Sequence, residues 1–467
     1  MKIFQDLVGS NSKSYIYSKR GEYSYNQLVQ DSEVFSTLTV NRPLVFIVAN
    51  NSYDCLAGYV GLLRTNTVVA LINDSIHESM FNDLIDRFKP RLIYQPQKVF
   101  SKRKNWKQRF EKGEYILYET NIEIDYKLND DLSLLLMTSG STGSPEFVRL
   151  SHSNIYSNTK AICQYLNIRD TDKSITTLPM SYSYGISIIN THLFMGASLI
   201  LTDTSIVERN FWQLIEKCEV TNFGGVPYTY EILKKLNFEN IELQSLRYIT
   251  QAGGKLSPGL LNYYNRACIE KQIDFVVMYG QTEASPRMSY IPPKMLKKKL
   301  GSIGIPIPGG KFHLIDDKNQ IVNETDVEGE LVYDGDNVCL GYARNCYDLA
   351  RGDLNKGTLE TGDMAKMDSD GYYYITGRKK RFLKLFGNRV SLDQVEQKIN
   401  EAGYDCACAG VDDQMKVYTN MESNVKNITK FITNVFDINK SGFSVTSIKK
   451  IPRNHSGKIL YSELDKK

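Results

Sequence analysis

Short apolar runs separated by helix-length amphipathic stretches recur through most of this chain, and that alternation limits the fold more than any other feature. The first clear unit is LVFIVANNSYDCLAGYVGLLRTNTVVALIND, residues 44–74. It predicts a strand, a helix opened by a cap at Asn51 or Ser52, and a second strand. Similar strand-like runs stand at 174–178, 198–202, 220–224, 246–250 and 274–278, with helical stretches between them. Such a rhythm favours mostly parallel sheets with helices on both faces, because parallel neighbours need a crossover long enough to hold a helix. Later the rhythm changes. β-like runs at 329–333 and 371–376 lie among Gly- and Asp-rich turns, and a basic segment, GRKKRFLK (377–384), precedes helix-like stretches at 391–401 and 424–436. The expected architecture is α/β: a large domain over 1–377 and a small α+β domain over 378–467.

Bulk properties narrow the function classes. A chain of 467 residues is too long for one compact core. Its 57 basic and 53 acidic residues leave a net charge of +4, too near balance to argue for nucleic acid or a membrane surface. The eight cysteines (55, 163, 218, 268, 339, 346, 406 and 408) are scattered, as in reduced cytosolic proteins rather than disulfide scaffolds. Only Cys406 and Cys408 are close together, and no second pair or His cluster supports zinc there. The opening MKIFQDLVGSNSKSY has no apolar signal core, and no run reaches transmembrane length. A cytoplasmic chain without a nucleic-acid partner is expected.

One stretch breaks the pattern. In LLLMTSGSTGSPEFVRLSH (134–152) an apolar strand gives way to Thr138, Ser139, Gly140, Ser141, Thr142, Gly143, Ser144 and Pro145. Small residues of this kind cannot fill a core, but they bring backbone N–H groups and hydroxyls close to a ligand rich in acceptor oxygens. Outside the carboxyl end of a parallel strand, that reads as a phosphate cradle. It is not a P-loop, since Gly143 is followed by Ser-Pro-Glu rather than Lys-Ser/Thr. A flexible surface linker is the alternative for the loop taken alone.

Further stretches follow in order: TQAGGK (250–255), VVMYGQTEAS (276–285), LETGDM (359–364), YYYITGRKKRFLKLFGNRVSLDQVE (372–396) and IPRNHSGKIL (451–460). Singly, Tyr279 reads as a core aromatic, Asp363 as a turn-former and Lys458 as a solvated lysine. Jointly, and with the loop, they make the chain resemble the adenylate-forming superfamily: acyl- and aryl-CoA synthetases, adenylation domains of non-ribosomal peptide synthetases, and luciferases. The resemblance runs from the loop to the last ten residues.

That resemblance implies ATP-dependent activation of a carboxylate to an acyl-adenylate with release of pyrophosphate, then transfer to a pantetheine thiol of CoA or of an acyl carrier protein. ATP and Mg²⁺ are implied with it. By matching motifs, Thr138, Ser139, Gly140, Ser141, Thr142 and Gly143 would embrace the β- and γ-phosphates. Tyr279 and Gly280 would meet adenine, which Gly253 and Gly254 also approach. Thr282 would bond the α-phosphate, and Glu283, with Thr138, would hold Mg²⁺. Asp363 would accept the ribose hydroxyls with Arg378 beside it, and Lys458 would bridge substrate carboxylate and α-phosphate. Lys380 matches the hinge, and Gly387 backs the thiol tunnel. LPMSYSYGIS (178–187) matches the acid-site stretch, giving Tyr182, Tyr184 and Gly185 as acid-pocket residues.

The chain departs from the family pattern in several places. Glu146 stands where a Lys is usual and Phe147 where a small residue is usual. Tyr182 replaces a His common in CoA synthetases, and the C-terminal domain is short. Gly185 replaces the Asp with which amino-acid-activating domains meet an α-ammonium, so a fatty, aryl or hydroxylated short acid is expected. A ligase that hands its adenylate to an amine, or a non-catalytic nucleotide- or acyl-binding relative, remains as an alternative. The presence of Glu283, Asp363, Arg378 and Lys458 favours the enzyme.

Overall fold

A computed structural model describes residue 4 and residues 14–39, 41–100, 105–139, 145–386, 388–436, 438–453 and 459–466. Two large sheets dominate it, one of nine strands and one of eight. In the eight-stranded sheet, Leu132–Ser139, Val68–Asn73, Leu44–Ala49 and Leu92–Pro96 run parallel, with antiparallel strands at both edges. In the nine-stranded sheet the parallel set includes Lys173–Ile175, Ser198–Ile200, Asn222–Gly225, Tyr248–Gln251 and Asp274–Tyr279. The runs read from sequence therefore form strands, each within a few residues of its expected bounds. Their near-continuous apolar character follows from burial on both faces.

The helix Tyr53–Arg64 shows why the sequence folds this way. Ser52 caps it, its hydroxyl accepting from the Cys55 amide at 3.3 Å, and every residue from Tyr53 to Leu63 is buried. A helix apolar on all sides has to lie inside. It lies among residues of both sheets and of the helix Ser183–Met195, in a core that includes Ile16, Val45, Leu71, Ile189 and Leu199.

An antiparallel five-stranded sheet follows, containing Glu328–Asp334, Thr358–Met367 and Tyr373–Arg378. Beyond a short 3-10 turn, Lys379–Arg381, the helices Leu392–Glu401 and Val425–Phe436 pack with small sheets around a separate apolar core. Cys406 and Cys408 belong to that core, and all eight cysteines are buried free thiols. Among the described residues no helix is long and apolar enough to cross a membrane.

Candidate active site

Three distant segments meet at Asp363. The pairing of Thr358–Met367 with Tyr373–Arg378 sets Asp363 opposite Arg378, whose Nε lies 3.1 Å from Asp363 Oδ1. The strand Asp274–Tyr279 delivers Tyr279, whose hydroxyl donates to Asp363 Oδ2 at 2.5 Å, and Gln281 Nε2 donates to the same oxygen at 3.1 Å. Burial first, and the Asp363 charge next, push the Tyr279 phenol well above its ordinary range, so it stays a donor. Asp363 is itself buried, whereas Arg378 is 62% exposed. Gly280 allows the turn that follows: a Cβ there would stand 1.8 Å from the Pro286 carbonyl oxygen.

Thr282 and Glu283 leave this cluster in two directions. The Thr282 hydroxyl is 3.0 Å from the Ser183 hydroxyl, at the first turn of the helix Ser183–Met195. Glu283 Oε1 accepts from the Tyr342 hydroxyl at 2.6 Å, and its carbonyl accepts from the Cys339 amide. Tyr342 sits on a short strand paired with Pro145–Ser151, so Glu283 is tied to the strand that follows the glycine-rich loop. Residues 140–144 of that loop lie outside the described residues, as does the side chain of Ser139. The flanking strands pair antiparallel, Thr138 opposite Glu146 and Ser139 opposite Pro145. The loop thus leads into a strand, and the next helix starts only at His152.

Glu146 and Phe147 gain physical explanations here. Phe147 is a core residue, packed edge-on against Phe88 at 4.8 Å between centroids. Glu146 is buried, and its Oε1 accepts from Arg344 Nε at 2.9 Å. The Arg344 side chain is 70% exposed, so a cation does stand beside the loop, carried by residue 344.

The acid-site stretch adjoins these groups. Tyr182 caps the helix, with its hydroxyl next to Gly253. Tyr184 is buried and its hydroxyl meets Thr250, which the strand Tyr248–Gln251 supplies. At Gly185 a Cβ would lie 2.2 Å from the Pro179 carbonyl oxygen, so no side chain fits that position. Thr191 and His192 line a narrow cavity behind Tyr184, but Asn190 does not: its Oδ1 accepts from Tyr59 on the opposite side. His192 is fully satisfied as a neutral ring. Its Nδ1 donates to the Ile188 carbonyl at 2.8 Å, its Nε2 accepts from Asn222 at 3.1 Å, and burial lowers its pKa.

Sequence reasoning missed Arg287. It is 3% exposed, and its guanidinium lies over the Tyr184 ring, 3.8 Å from the centroid. Nothing local marks it: in SPRMSYIP, Arg287 stands at a polar position of the alternation Arg287, Met288, Ser289, Tyr290.

The segment expected to hinge, Lys379–Arg381, is a run of cations, two of them paired. Lys379 meets Glu330 at 2.5 Å, and Arg381 meets Asp393 at 2.5 Å and Glu396 at 2.7 Å. Lys380 is exposed and makes no ion pair with the described residues. The small unit touches the large one here, through Lys255 to Gln397 at 3.2 Å, and within the small unit the Arg378 amide donates to Asp393 at 3.0 Å. Gly387 and Lys458 lie outside the described residues, although Arg453 and Ile459, which flank 454–458, pair with each other. Tyr461 binds the segment back to the hinge: its hydroxyl donates to Glu396 at 2.8 Å and its ring lies under Arg381. Gly254 is exposed at the surface of its loop.

Comparison with known proteins gives the family. The family model for AMP-binding enzymes matches residues 10–343. The medium-chain fatty-acid–CoA ligase of Escherichia coli is 28% identical over 293 residues, 61% of this chain and 50% of that protein. The 2-succinylbenzoate–CoA ligase of Bacillus cereus is 26% identical over 359 residues, 74% of this chain and 72% of that protein. The chain thus spans half the length of the first of these relatives. The solved O-succinylbenzoate coenzyme A synthetase of Bacillus subtilis, in complex with AMP, shares the fold with a TM-score of 0.78 and 19% identity, over 97% of this chain and 95% of that one. With the family model spanning most of the large unit and the same fold matched nearly end to end, the chain belongs to the AMP-binding enzyme family.

Proposed function

We propose that this chain is an AMP-forming acid–thiol ligase. A carboxylate oxygen attacks the α-phosphorus of ATP, the bond to pyrophosphate breaks, and an acyl-adenylate forms. A pantetheine thiol then attacks the acyl carbon, the bond to AMP breaks, and the thiol proton passes to solvent. The convergence of Tyr279, Gln281, Asp363 and Arg378 beside Thr282 and the Ser183 helix carries this reading. This group of acceptors and donors beside the stretch expected to hold the acid supports the reading that a nucleoside and an acid meet here.

The residue roles follow from chemistry. An ionised carboxylate offers about four acceptor positions. Tyr279, Gln281 and Arg378 occupy three on Asp363, so taking both ribose hydroxyls requires one donor to yield. Arg378, exposed at the start of the small unit, is the one free to swing away. Thr282 and the loop from Thr138 to Gly143 supply donors where the triphosphate charge lies, with Arg344 nearby. No group of three or more His, Cys, Asp or Glu suited to a metal occurs among the described residues. Glu283 and Thr138 would therefore share Mg²⁺ with phosphate oxygens and water, as that ion prefers, and the ion would offset phosphate charge. Lys458 arrives with the small domain, residues 378–467, to hold the reacting carboxylate and α-phosphate together. The domain then turns about Lys380 and clears the way for the thiol along Gly387.

The relatives' names cover a fatty acid and an aromatic acid and leave the acid open. Free CoA is the simplest thiol, and a carrier protein is the alternative. ATP-dependent pyrophosphate release over a panel of carboxylic acids, with and without CoA, tests the reading. Release with some acid, and thioester only when CoA is added, is expected. ATP binding with no response to any acid would turn the chain into a binding protein.

A further inference from the structure

Three strands carry one row of side chains from Glu283 to the foot of the glycine-rich loop. Tyr342 and Ala343 pair with Val148 and Phe147, which pair in turn with Leu136 and Met137. Side chains alternate along each strand. Phe147 and Ala343 pack on one face, and Leu136 and Val148 pack on the other, in the core shared by the two large sheets. The next pair on that second face is Thr138 with Glu146, and Arg344 meets Glu146 from the neighbouring strand, Nε to Oε1 at 2.9 Å. On the same face the Tyr342 hydroxyl holds Glu283. Arg344 follows Tyr342 by two residues, about 7 Å of extended chain, in the direction of the loop.

A buried carboxylate beside a site for a triphosphate would repel it unless paired. Arg344 pairs Glu146 and has donors to spare. Only its Nε is engaged by Glu146, neither Nη has a partner among the described residues, and the side chain is 70% exposed. Its main chain is fixed from two sides: the amide donates to Asp348 Oδ2 at 2.8 Å, and the carbonyl accepts from Arg87 Nη1 at 2.9 Å. Arg87 itself is committed to the Pro145 carbonyl and to Asp83. For stability alone an apolar residue at 146 would serve as well as this ion pair. A guanidinium anchored at Nε presents its two terminal nitrogens as a fixed fork, the geometry that phosphate oxygens match.

We infer that Arg344, held in place by Glu146, binds the terminal phosphates of ATP and the pyrophosphate that leaves. The inference rests on the proposed ligase function and assigns a residue to the charge that reaction moves. As the carboxylate oxygen bonds to the α-phosphorus, the bond to the bridging oxygen breaks and its electron pair stays on pyrophosphate. Arg344 offsets that growing charge. Glu146 acts through Arg344 and is a positioning residue.

Calorimetric titration of the full chain with Mg–ATP and with AMP tests this, because AMP has no phosphate beyond the first. Arg344→Ala is expected to weaken ATP about tenfold or more and to change AMP affinity by less than about twofold. Arg344→Lys should keep part of the ATP affinity. In the double variant Arg344→Ala/Glu146→Gln no stranded carboxylate remains, and the loss of ATP affinity should persist. A merely structural arginine would weaken both nucleotides alike. Parallel losses for ATP and AMP, wild-type ATP affinity in Arg344→Ala, or its recovery in the double variant would overturn the inference, the last by tracing the loss to repulsion from Glu146. A wild-type protein that binds neither nucleotide would instead remove the ligase reading, and the inference with it.

Discussion

Replacing Asp363 with asparagine keeps the shape of the side chain and removes its charge. In the folded protein the Tyr279 hydroxyl, Gln281 and Arg378 all point at this carboxylate, at 2.5, 3.1 and 3.1 Å. The amide oxygen can still accept from Tyr279, and Arg378 is exposed enough that losing its pair costs little stability. The effect on ATP is larger. Hydrogen bonds to a charged acceptor contribute roughly 1.5–3 kcal/mol and neutral ones about 0.5–1.5, so each ribose hydroxyl loses about 1–1.5 kcal/mol. Two hydroxyls together give about 2–3 kcal/mol, or roughly thirty- to a hundred-and-fiftyfold in Kd. Calorimetric titration of wild type and Asp363→Asn with ATP and with 2′,3′-dideoxy-ATP closes a double-mutant cycle. Wild type should discriminate strongly between the nucleotides, and the variant should barely discriminate. Equal penalties for the dideoxy nucleotide in both proteins, or an unchanged ATP Kd in the variant, would remove Asp363 from the ribose site.

Four further outcomes are expected. Lys458→Ala should slow adenylate formation by roughly 10²–10³ while sparing thioester formation from supplied acyl-adenylate, measured as separate half-reactions; equal loss of both would make the lysine structural. Arg344→Ala strands the buried Glu146 carboxylate and should lower the urea midpoint by an amount equivalent to about 1–3 kcal/mol, with Glu146→Gln in the same chain restoring most of it. His192 has a folded pKa below its ordinary 6.5, through burial and against a smaller opposing pull from Asp172, so stability should be full above about pH 6.5 and fall as the pH drops below it. A His192→Gln variant should show a shallower fall in urea titrations between those limits. α-Amino acids should be poor substrates beside their hydroxy analogues in pyrophosphate exchange, because Gly185 has no room for a carboxylate and the buried Arg287 repels an ammonium; preference for the amino member would refute this.

The order of elements and the residues of the candidate site were legible in the linear chain because both are written locally. Strand and helix periods declare themselves over a few residues, as in 44–74. Tyr279, Thr282, Glu283 and Asp363 sit in short motifs whose spacing is set by a single turn. What the chain could not reveal depends on residues far apart in sequence. Glu146 read as a lost cation until the fold brought Arg344, 198 positions away, against it. Arg287 became a buried arginine stacked on Tyr184 only because Asn158 and Asn337, 129 and 50 positions distant, hold its backbone there. Local pattern selects secondary structure and motif chemistry. Burial and charge partnership are properties of neighbours in space, and those exist only once the sheets have closed around the helix Ser183–Met195.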